Sequence, residues 1–329
     1  MAYSPGSHAG PFAVGMFLDD TAAADGQREF AGLVAGGQVR SLGDSTTPLL
    51  ADWDAAMRRM AELAAEADEA GATAAGAAGW RPVDGLRVLP PVRPGQILQS
   101  GANYRRHVID LHVAEGGGRA EAEAIMDARA ATGEPYLFAG LPSALCGPGD
   151  DVVLPLEGTK HDWELEIAVV IGRPARRVSP QDAMRYVAGY TICNDITTRD
   201  LVYRPDLERI GTDWIRAKNR PTFLPTGPYL VPAAFIPDPH DLVITLRHNG
   251  VVRQDELAKD MIFDIPRLVS YASTLVSLAP GDLLLTGSPA GNGAHWGIFL
   301  APGDVMEAQI TGLGIQRNSC VSERPDSHA

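Results

Sequence analysis

Short apolar runs separated by glycine, proline and aspartate dominate the chain and predict a strand-rich fold. Between residues 12 and 50 the runs are FAVGMFL, FAGLVAGG and QVRSLG, which predict a small N-terminal unit built mainly of strands. Further along, strands are predicted for WELEIAVVIG, DLVITLRHNG and GDLLLTGSP, each rich in branched and apolar residues. Because strands and helices do not alternate regularly, the pattern indicates a strand-dominated α+β fold.

Helical periodicity is clearest in DWDAAMRRMAELAAEADEAG, where Asp52 is placed to cap a helix and Gly71 to end it. The apolar positions that recur three and four residues apart are Trp53, Met57, Met60, Ala64 and Ala67. Helices are also predicted for SPQDAMRYVAG, for SGANYRRHVIDLHV after its glycine turn, and for IPRLVSYASTLVSL, which Asp264 precedes and Pro280-Gly281 ends.

The composition of two short segments predicts a division of the chain into two domains. A glycine- and alanine-rich segment, GATAAGAAG, predicts a flexible hinge, and the proline-rich RVLPPVRPGQ predicts the entry to a second domain. We therefore expect a small strand-rich domain with one helix over residues 1–85, a larger domain over residues 86–322, and a tail over residues 323–329.

The charge balance and the cysteines limit the classes of partner. Acidic residues outnumber basic residues by 41 to 28, so the surface field disfavours nucleic acid and anionic membranes. The three widely spaced cysteines are typical of free thiols in a reducing compartment. Because the chain shows neither a basic leader nor a long apolar run, we expect a soluble, cytoplasmic protein.

The first segment that indicates chemistry is KHDWELEIAVVIG. In a strand, its alternate acids Asp162, Glu164 and Glu166 project from one face. Carboxylates directed at one point are typical ligands of a hard divalent cation. The alternative is an exposed strand face with solvated acids, but the run AVVIG that follows predicts burial.

Two further segments add reactive groups. AGYTICNDITTRDL contributes Asp195 as a third carboxylate, which would complete an open Mg²⁺ or Mn²⁺ site; otherwise it is a turn with capping acids. SGANYRRHVIDLHV places His107 and Asp110 three residues apart on one helix face. Such a pair suits general-base activation of water, although a structural hydrogen bond is the commoner meaning of this spacing.

Taken in order, four motifs resemble the fumarylacetoacetate hydrolase family from about residue 95 to about residue 315. The motifs are GANYRRH, DWELEIAVVIGRPARRV, VAGYTICNDITTRDL and LLLTGSPAGNG. The resemblance implies a mixed β-sheet roll with a small N-terminal domain, a homodimer, and a bound Mg²⁺, Mn²⁺ or Ca²⁺ ion. It implies metal ligands Glu164, Glu166 and Asp195, catalytic residues His107, Asp110 and Lys218, and substrate-binding residues Tyr104, Arg199 and Ser288.

The chain also departs from the family pattern. Asp110 stands where many members have glutamate, and Gly140, Val202 and Pro221 stand where members usually have lysine, glutamine and aspartate. The segment LHVAEGGGRAEAEAIMDARAATGEPY is longer than in compact members and predicts a partly helical lid. These changes predict a substrate pocket that is more apolar than is usual in the family.

By resemblance, the expected reaction is hydrolysis of a carbon–carbon bond in an acylpyruvate-like β-diketo acid through a metal-stabilised enolate. The expected partner is a small oxo acid or diketone. Oxo-acid decarboxylation, keto–enol isomerisation and sugar-acid dehydration share this enolate and stay open as alternatives. A non-catalytic binding protein is the most remote alternative, since unneeded carboxylates beside a core would cost stability.

Overall fold

The computed structural model describes residues 3–19, 28–69, 79–114 and 116–324. Strands in this part of the chain are β1 (Ala13–Asp19), β2 (Arg28–Ala35), β3 (Gln38–Gly43), β4 (Trp80–Pro82), β5 (Arg87–Leu89), β6 (Ile97–Gly101), β7 (Tyr136–Gly140), β8 (Leu145–Cys146), β9 (Val152–Leu154), β10 (His161–Asp162), β11 (Leu165–Ile171), β12 (Val187–Asn194), β13 (Thr197–Thr198), β14 (Leu224–Pro225), β15 (Val231–Pro232), β16 (Val243–His248), β17 (Val251–Leu257), β18 (Leu283–Leu285), β19 (Val305–Ile310) and β20 (Gly314–Ser322). The α-helices are α1 (Thr47–Ala51), α2 (Trp53–Glu69), α3 (Arg105–Ala114), α4 (Arg119–Thr132), α5 (Trp214–Lys218), α6 (Ile265–Leu275) and α7 (Gly293–Trp296). The predicted strand-dominated α+β class is confirmed.

The N-terminal unit is a five-stranded sheet in the order β4-β3-β2-β1-β5, as its alternating pattern predicts. Two backbone hydrogen bonds join β1 to the rest of the protein, from Val14 N to Leu230 O (3.0 Å) and from Leu230 N to Val14 O (2.8 Å). Since β5 pairs with β1, this sheet includes residues beyond the predicted boundary at residue 85. The division into domains stays a prediction, and residues 71–78 of the predicted hinge lie outside the described residues, as do residues 325–329 of the predicted tail.

The central sheet has the order β15-β12-β11-β18-β6-β7, with β11 in its interior. All seven residues of β11 are buried, because sheet neighbours lie on both sides and packed side chains cover both faces. A second sheet, β17-β16-β19-β20-β9, shares one hydrophobic core with β11 and β12. The chemically important residues lie where β11 begins and where β12 ends.

The helix predictions have mixed outcomes. Asp52 caps α2, accepting a hydrogen bond from Ala55 N at 3.1 Å, and Asp264 caps α6 through Arg267 N at 2.9 Å. The predicted stop of α2 at Gly71 lies outside the described residues. Helix α6 ends at Leu275, before the predicted Pro280-Gly281, because the chain turns extended and Leu278 pairs with Ala175.

The helix predicted for SPQDAMRYVAG is wrong. Only one 3₁₀ turn forms, over Ala183–Tyr186, and β12 begins at the next residue. Tyr186 O accepts a hydrogen bond from Gly172 N at 2.7 Å, and Val187 pairs with Ile171 of the central sheet. Pairing with a buried strand therefore overrides the local helix signals.

Helix α4 accounts for the helical part of the predicted lid. Its Met126 is buried, and Arg129 donates a hydrogen bond to Ala102 O at 2.5 Å while its guanidinium lies 5.3 Å from the centroid of the Phe263 ring. The role of this segment as a lid stays a prediction. None of the helices described is both long and apolar enough to cross a lipid bilayer. The predicted cytoplasmic location, homodimer and absence of nucleic-acid partners stay predictions.

Candidate active site

Three carboxylates converge at the junction of β11 and β12. Leu165 pairs with Asn194, and Asp195 N donates to Glu164 O at 2.8 Å, which brings the two acidic segments side by side. One carboxylate oxygen from each of Glu164, Glu166 and Asp195 lies within 4.8 Å of the other two. The structure therefore brings together the three residues predicted as metal ligands.

Asp162 does not join this cluster, although it alternates with Glu164 in sequence. It lies in the separate strand β10, and its carboxylate accepts hydrogen bonds from Gly293 N, from Ala294 N at 3.0 Å and from Arg199 Nε at 2.8 Å. The expectation that Asp162, Glu164 and Glu166 share one continuous strand face is wrong, because β11 begins only at Leu165. Through these hydrogen bonds Asp162 instead holds Arg199 and the first residues of α7 next to β10.

Burial and the charges of neighbouring groups change the pKa values of the three acids. Burial, then the charges of Asp195 and Glu164, raise the pKa of Glu166 well above its usual value. Burial also raises the pKa of Asp195 to about 6, although Lys218 opposes that rise. For Glu164, burial is outweighed by Arg199 and then Lys218, which lower its pKa to about 2. For Glu166 and Asp195, burial therefore outweighs the effect of the nearby positive charge on the pKa.

Lys218 provides part of the compensating charge. Its Nζ lies 2.5 Å from Asp195 Oδ2 and 3.5 Å from Glu164 Oε2, and the side chain is 3% exposed. Burial alone would lower the pKa of Lys218, but Asp195 and Glu164 raise it, so the amine stays charged. The lysine ends α5, whose first turn is capped by Asp213 through Arg216 N at 3.1 Å.

This donor set fits a hard divalent cation. All three groups are carboxylates, which are the ligands that Mg²⁺, Mn²⁺ and Ca²⁺ prefer. Glu166 and Asp195 are each 1% exposed, and burial raises the pKa of both, so a divalent ion would favour their ionised forms. Glu164, Glu166 and Asp195 would hold the ion.

His107 lies on α3, close enough to the cluster for the charges of Glu164 and Arg199 to act on its imidazole. Burial lowers the pKa of His107 to about 4, against the opposing effect of Glu164, so its imidazole is neutral at neutral pH. Asp110 Oδ1 accepts a hydrogen bond from Arg119 Nη2 at 3.2 Å, and Asp110 Oδ2 lies 3.7 Å from Arg106 Nε. Along the described part of α3, no hydrogen bond joins Asp110 to His107. The predicted pair therefore shares a helix face, but its cooperation as a base stays a prediction.

The three residues predicted to bind substrate have different surroundings. Arg199 bridges Asp162 and Glu164, with its Nη2 2.5 Å from Glu164 Oε1. Ser288 lies on the turn after β18 and accepts a hydrogen bond from Gln254 Nε2 at 2.9 Å. Tyr104 has no exposed surface and packs in the hydrophobic core, and its predicted part in substrate binding stays a prediction.

Gln99 is a site residue that sequence reasoning missed. It is 1% exposed on β6, and its Nε2 donates to Asp195 Oδ1 at 2.6 Å. A Cβ atom on Gly140 would lie only 2.8 Å from Gln99 Oε1, so the glycine leaves room for this amide. The available signal was a polar residue inside the apolar strand ILQSG.

Backbone and hydroxyl donors complete the cluster. Gly287 N, in the turn after β18, donates to Glu166 Oε2 at 2.7 Å, and Thr197 Oγ1 donates to Glu164 Oε1 at 3.1 Å. Gly287 has a φ of +91°, which favours glycine. The TGSPAG motif thus holds Glu166 in place as well as presenting Ser288.

Comparisons with known proteins agree with this geometry. Residues 96–321 match the family model described as fumarylacetoacetate (FAA) hydrolase C-terminal. A 2,4-didehydro-3-deoxy-L-rhamnonate hydrolase of Sphingomonas sp. (strain SKA58) is 39% identical over 232 residues, which cover 70% of this chain and 74% of that protein. A mitochondrial oxaloacetate tautomerase of Bos taurus is 36% identical over 236 residues, which cover 71% of this chain and 69% of that protein.

Solved structures extend the likeness to the N-terminal unit. A fumarylacetoacetate hydrolase from psychrophilic Exiguobacterium antarcticum superposes with a TM-score of 0.72 at 26% identity, covering 95% of this chain and all of that one. The family match, the fold and the clustered carboxylates agree with one another. The chain belongs to the fumarylacetoacetate hydrolase family, whose members related to it include hydrolases and a tautomerase.

Proposed function

We propose that this protein is a metal-dependent hydrolase that cleaves a carbon–carbon bond in an acylpyruvate-like β-diketo acid. The observation that supports this most strongly is the juxtaposition of three carboxylates with a neutral imidazole and a buried ammonium group. The relatives named as hydrolases also support it.

Each group of the chain has a defined task in this reaction. A divalent cation held by Glu164, Glu166 and Asp195 would supply Lewis-acid polarisation of the substrate oxygens. The neutral imidazole of His107 takes a proton from a water molecule as that water attacks the acyl carbonyl carbon. The ammonium group of Lys218 stabilises negative charge on the reacting oxygens, and Arg199 keeps Glu164 ionised.

The bond changes balance without any further reactant. Water adds its oxygen to the acyl carbon, and the bond from that carbon to the adjacent methylene carbon then breaks. The acyl fragment leaves as a carboxylic acid, and the oxo-acid fragment leaves as an enolate. The enolate carbon regains a proton, so one water is consumed and two acids are formed for each diketo acid.

Keto–enol tautomerisation of an oxo acid is the second candidate function. It is favoured by the position of Asp110, which binds Arg119 and makes no hydrogen bond to His107 in the described structure. A tautomerase moves one proton between carbon and oxygen and does not need an activated water. A relative named as an oxaloacetate tautomerase supports this candidate as well.

Proton NMR of the reaction mixture separates the candidates. Acetylpyruvate, longer acylpyruvates and oxaloacetate are incubated with purified protein and Mg²⁺ or Mn²⁺, with EDTA as the metal-free control. The proposal predicts that acetate and pyruvate form from acetylpyruvate, only with metal. Exchange of the oxaloacetate methylene protons above the uncatalysed rate, without diketo-acid cleavage, would instead identify a tautomerase.

A matched pair of variants assigns the activity to the site. Glu164→Gln removes one carboxylate of the cluster, whereas Glu307→Gln removes a carboxylate on β19, which pairs with Arg317 in the other sheet. We expect the first variant to lose at least about 100-fold in kcat/KM and the second to retain the wild-type rate. Equal rates for both variants would rule out the cluster as the active site.

A further inference from the structure

An apolar cavity of about 330 Å³ lies beside Lys218. Its apolar lining comes from β7, from the segment before α5 and from α5 itself, and includes Phe138, Leu207, Ile210, Trp214 and Ile215. Ile210 is 71% exposed and Ile215 is 54% exposed. Clustered apolar surface of this kind is a common mark of a ligand-binding surface.

Two aromatic residues that line this cavity, Phe138 and Trp214, also lie next to Lys218 of the candidate active site. The rings of Phe138 and Trp214 stack with centroids 4.8 Å apart, and Trp214 Nε1 donates to the Tyr136 hydroxyl at 2.7 Å. Lys218 Nζ lies 5.6 Å from the centroid of the Phe138 ring and 5.9 Å from that of the Trp214 ring. Trp214 and Lys218 are four residues apart in α5, and so lie on one helix face.

The aromatic pair therefore lies beside the lysine that binds Asp195 and also lines the cavity. A substrate whose oxygen atoms lie at the carboxylate cluster would reach the cavity by extending its remaining carbon atoms past Lys218 and this ring pair. The part of the substrate that would lie there is the one farthest from the reacting oxygens, namely the acyl substituent.

The charges in the lining indicate which substituent fits. Arg204 is the cation of this lining, and both of its terminal nitrogens are already paired, Nη1 with Asp213 at 3.0 Å and Nη2 with Asp206 at 2.6 Å. Asp213 is also the cap of α5, so the ion pair is fixed by local structure. The described lining thus offers no unpaired cation to a second carboxylate, whereas it offers several apolar side chains.

We infer that this cavity binds the acyl substituent of the substrate and selects β-diketo acids whose acyl group is an apolar alkyl or aryl chain. Substrates that end in a second carboxylate are disfavoured. This inference rests on the proposed function, since it assigns the substrate class of the same site. It makes Leu207, Ile210 and Ile215 specificity-determining residues. Trp214 lines the cavity and also lies beside Lys218.

The first test measures kcat/KM for 2,4-dioxo acids of increasing chain length, from 2,4-dioxopentanoate to 2,4-dioxononanoate, and for a chain of matched length ending in a carboxylate. Burial of one methylene contributes about 0.8 kcal/mol, which corresponds to about a fourfold rise in kcat/KM per methylene. We expect such a rise until the cavity is filled, and a drop of at least about tenfold for the carboxylate-terminated chain. A flat series, or a preference for the terminal carboxylate, would overturn the inference.

Variants assign the preference to the cavity. Ile210→Asp places a charge at an exposed position of the lining, and Leu156→Asp does the same at a 64% exposed leucine outside it. The ratio of the longest-chain to the shortest-chain kcat/KM should fall at least about tenfold in Ile210→Asp and stay unchanged in Leu156→Asp. An unchanged ratio in both variants would show that the chain binds elsewhere.

A binding measurement separates this inference from the proposed function. Simple 2-oxo acids from pyruvate to 2-oxooctanoate lack the scissile bond, and their affinity in the presence of Mg²⁺ can be measured by calorimetry. Affinity that rises with chain length, and does so less in Ile210→Asp, supports the cavity even if no diketo acid is cleaved. Cleavage without any dependence on chain length rejects the cavity and leaves the proposed function standing.

The same variants test whether a second copy of the chain covers this surface instead. Light scattering after size-exclusion chromatography gives the oligomeric state of wild type and of Ile210→Asp. A change of oligomeric state in Ile210→Asp, together with an unchanged preference for chain length, would identify the apolar surface as a subunit contact and overturn the inference.

Discussion

Replacing Glu166 with glutamine should stabilise the metal-free protein while weakening its response to metal. Glu166 is 1% exposed, and its neighbours Asp195 and Glu164 carry the same charge. Glutamine has the same shape, and its amide oxygen can still accept the hydrogen bond from Gly287 N, now 2.7 Å long. The substitution therefore removes the charge of Glu166 and preserves its packing.

The magnitude follows from proton linkage. Because the pKa of Glu166 is raised well above 4.5 in the folded protein, its contribution to stability is fully present below about pH 4.5 and is lost as pH rises toward the folded pKa. Over that interval the loss is about 1.4 kcal/mol per pH unit, because each unit of pKa shift corresponds to that free energy. Glutamine carries no charge and so does not suffer this loss. The metal-free Glu166→Gln variant should therefore be more stable than wild type at pH 7, and the difference should shrink by about 1.4 kcal/mol per pH unit as the pH falls below the folded pKa toward pH 4.5.

Urea unfolding in EDTA, at a series of pH values, measures this difference, and Glu307→Gln serves as the control without a predicted gain. Adding Mg²⁺ at about 100 times its dissociation constant should then stabilise wild type by about 2.7 kcal/mol and the Glu166→Gln variant by much less. If Glu166→Gln unfolds more easily than wild type at pH 7 without metal, or gains as much from Mg²⁺, the electrostatic account of the cluster is refuted.

Three other substitutions give separate tests. His107→Gln should reduce kcat/KM by at least about 100-fold. Asp110→Asn should change kcat/KM less than about threefold, because no hydrogen bond joins the two residues. Equal losses of the two variants in steady-state kinetics would show that His107 and Asp110 act as a pair. Lys218→Met should destabilise the metal-free protein by about 3 kcal/mol in urea, since it leaves Asp195 without its buried partner, and added Mg²⁺ should restore most of that loss; a destabilisation unaffected by Mg²⁺ would contradict this reasoning. Asp52→Ala should cost about 1 kcal/mol in thermal unfolding through loss of the α2 cap and leave kcat/KM unchanged; a stability within error of wild type would show that the cap contributes nothing.

Much of the site could be predicted because its ligands lie at the ends of strongly patterned strands. The run after Glu166 in β11 is continuously apolar, which indicates a buried strand, and the same is true of the run before Asp195 in β12. Once two such strands pair antiparallel, the end of one meets the start of the other. The carboxylates then converge without any further information.

The contacts that sequence reasoning did not predict involve partners in other elements of the fold. The Asp162 carboxylate accepts a hydrogen bond from Gly293 N, 131 residues later, and the Asp110 carboxylate accepts one from Arg119 on the next helix. Gln99 binds Asp195, 96 residues later, through a contact that Gly140 makes possible. Periodicity describes one element at a time, so it cannot reveal which distant donor a side chain will meet.

The 3₁₀ turn at Ala183–Tyr186 shows the same limit for secondary structure. Ser179 Oγ accepts a hydrogen bond from Asp182 N at 3.2 Å, so the predicted capping contact forms. The next residues are nevertheless needed as the first pairs of β12 beside β11. Burial of a central strand contributes more than the continuation of a short exposed helix.

The proposed reaction requires one divalent cation bound by Glu164, Glu166 and Asp195. A titration with Mn²⁺ followed by electron paramagnetic resonance tests this requirement directly. The signal of free Mn²⁺ reports the number of ions bound by each chain at neutral pH. We predict one bound ion per chain in wild type and in the Glu307→Gln control, and loss of that binding in Glu166→Gln. Binding of no Mn²⁺ by wild type, or equal binding by Glu166→Gln, would contradict the metal site and the reaction built on it.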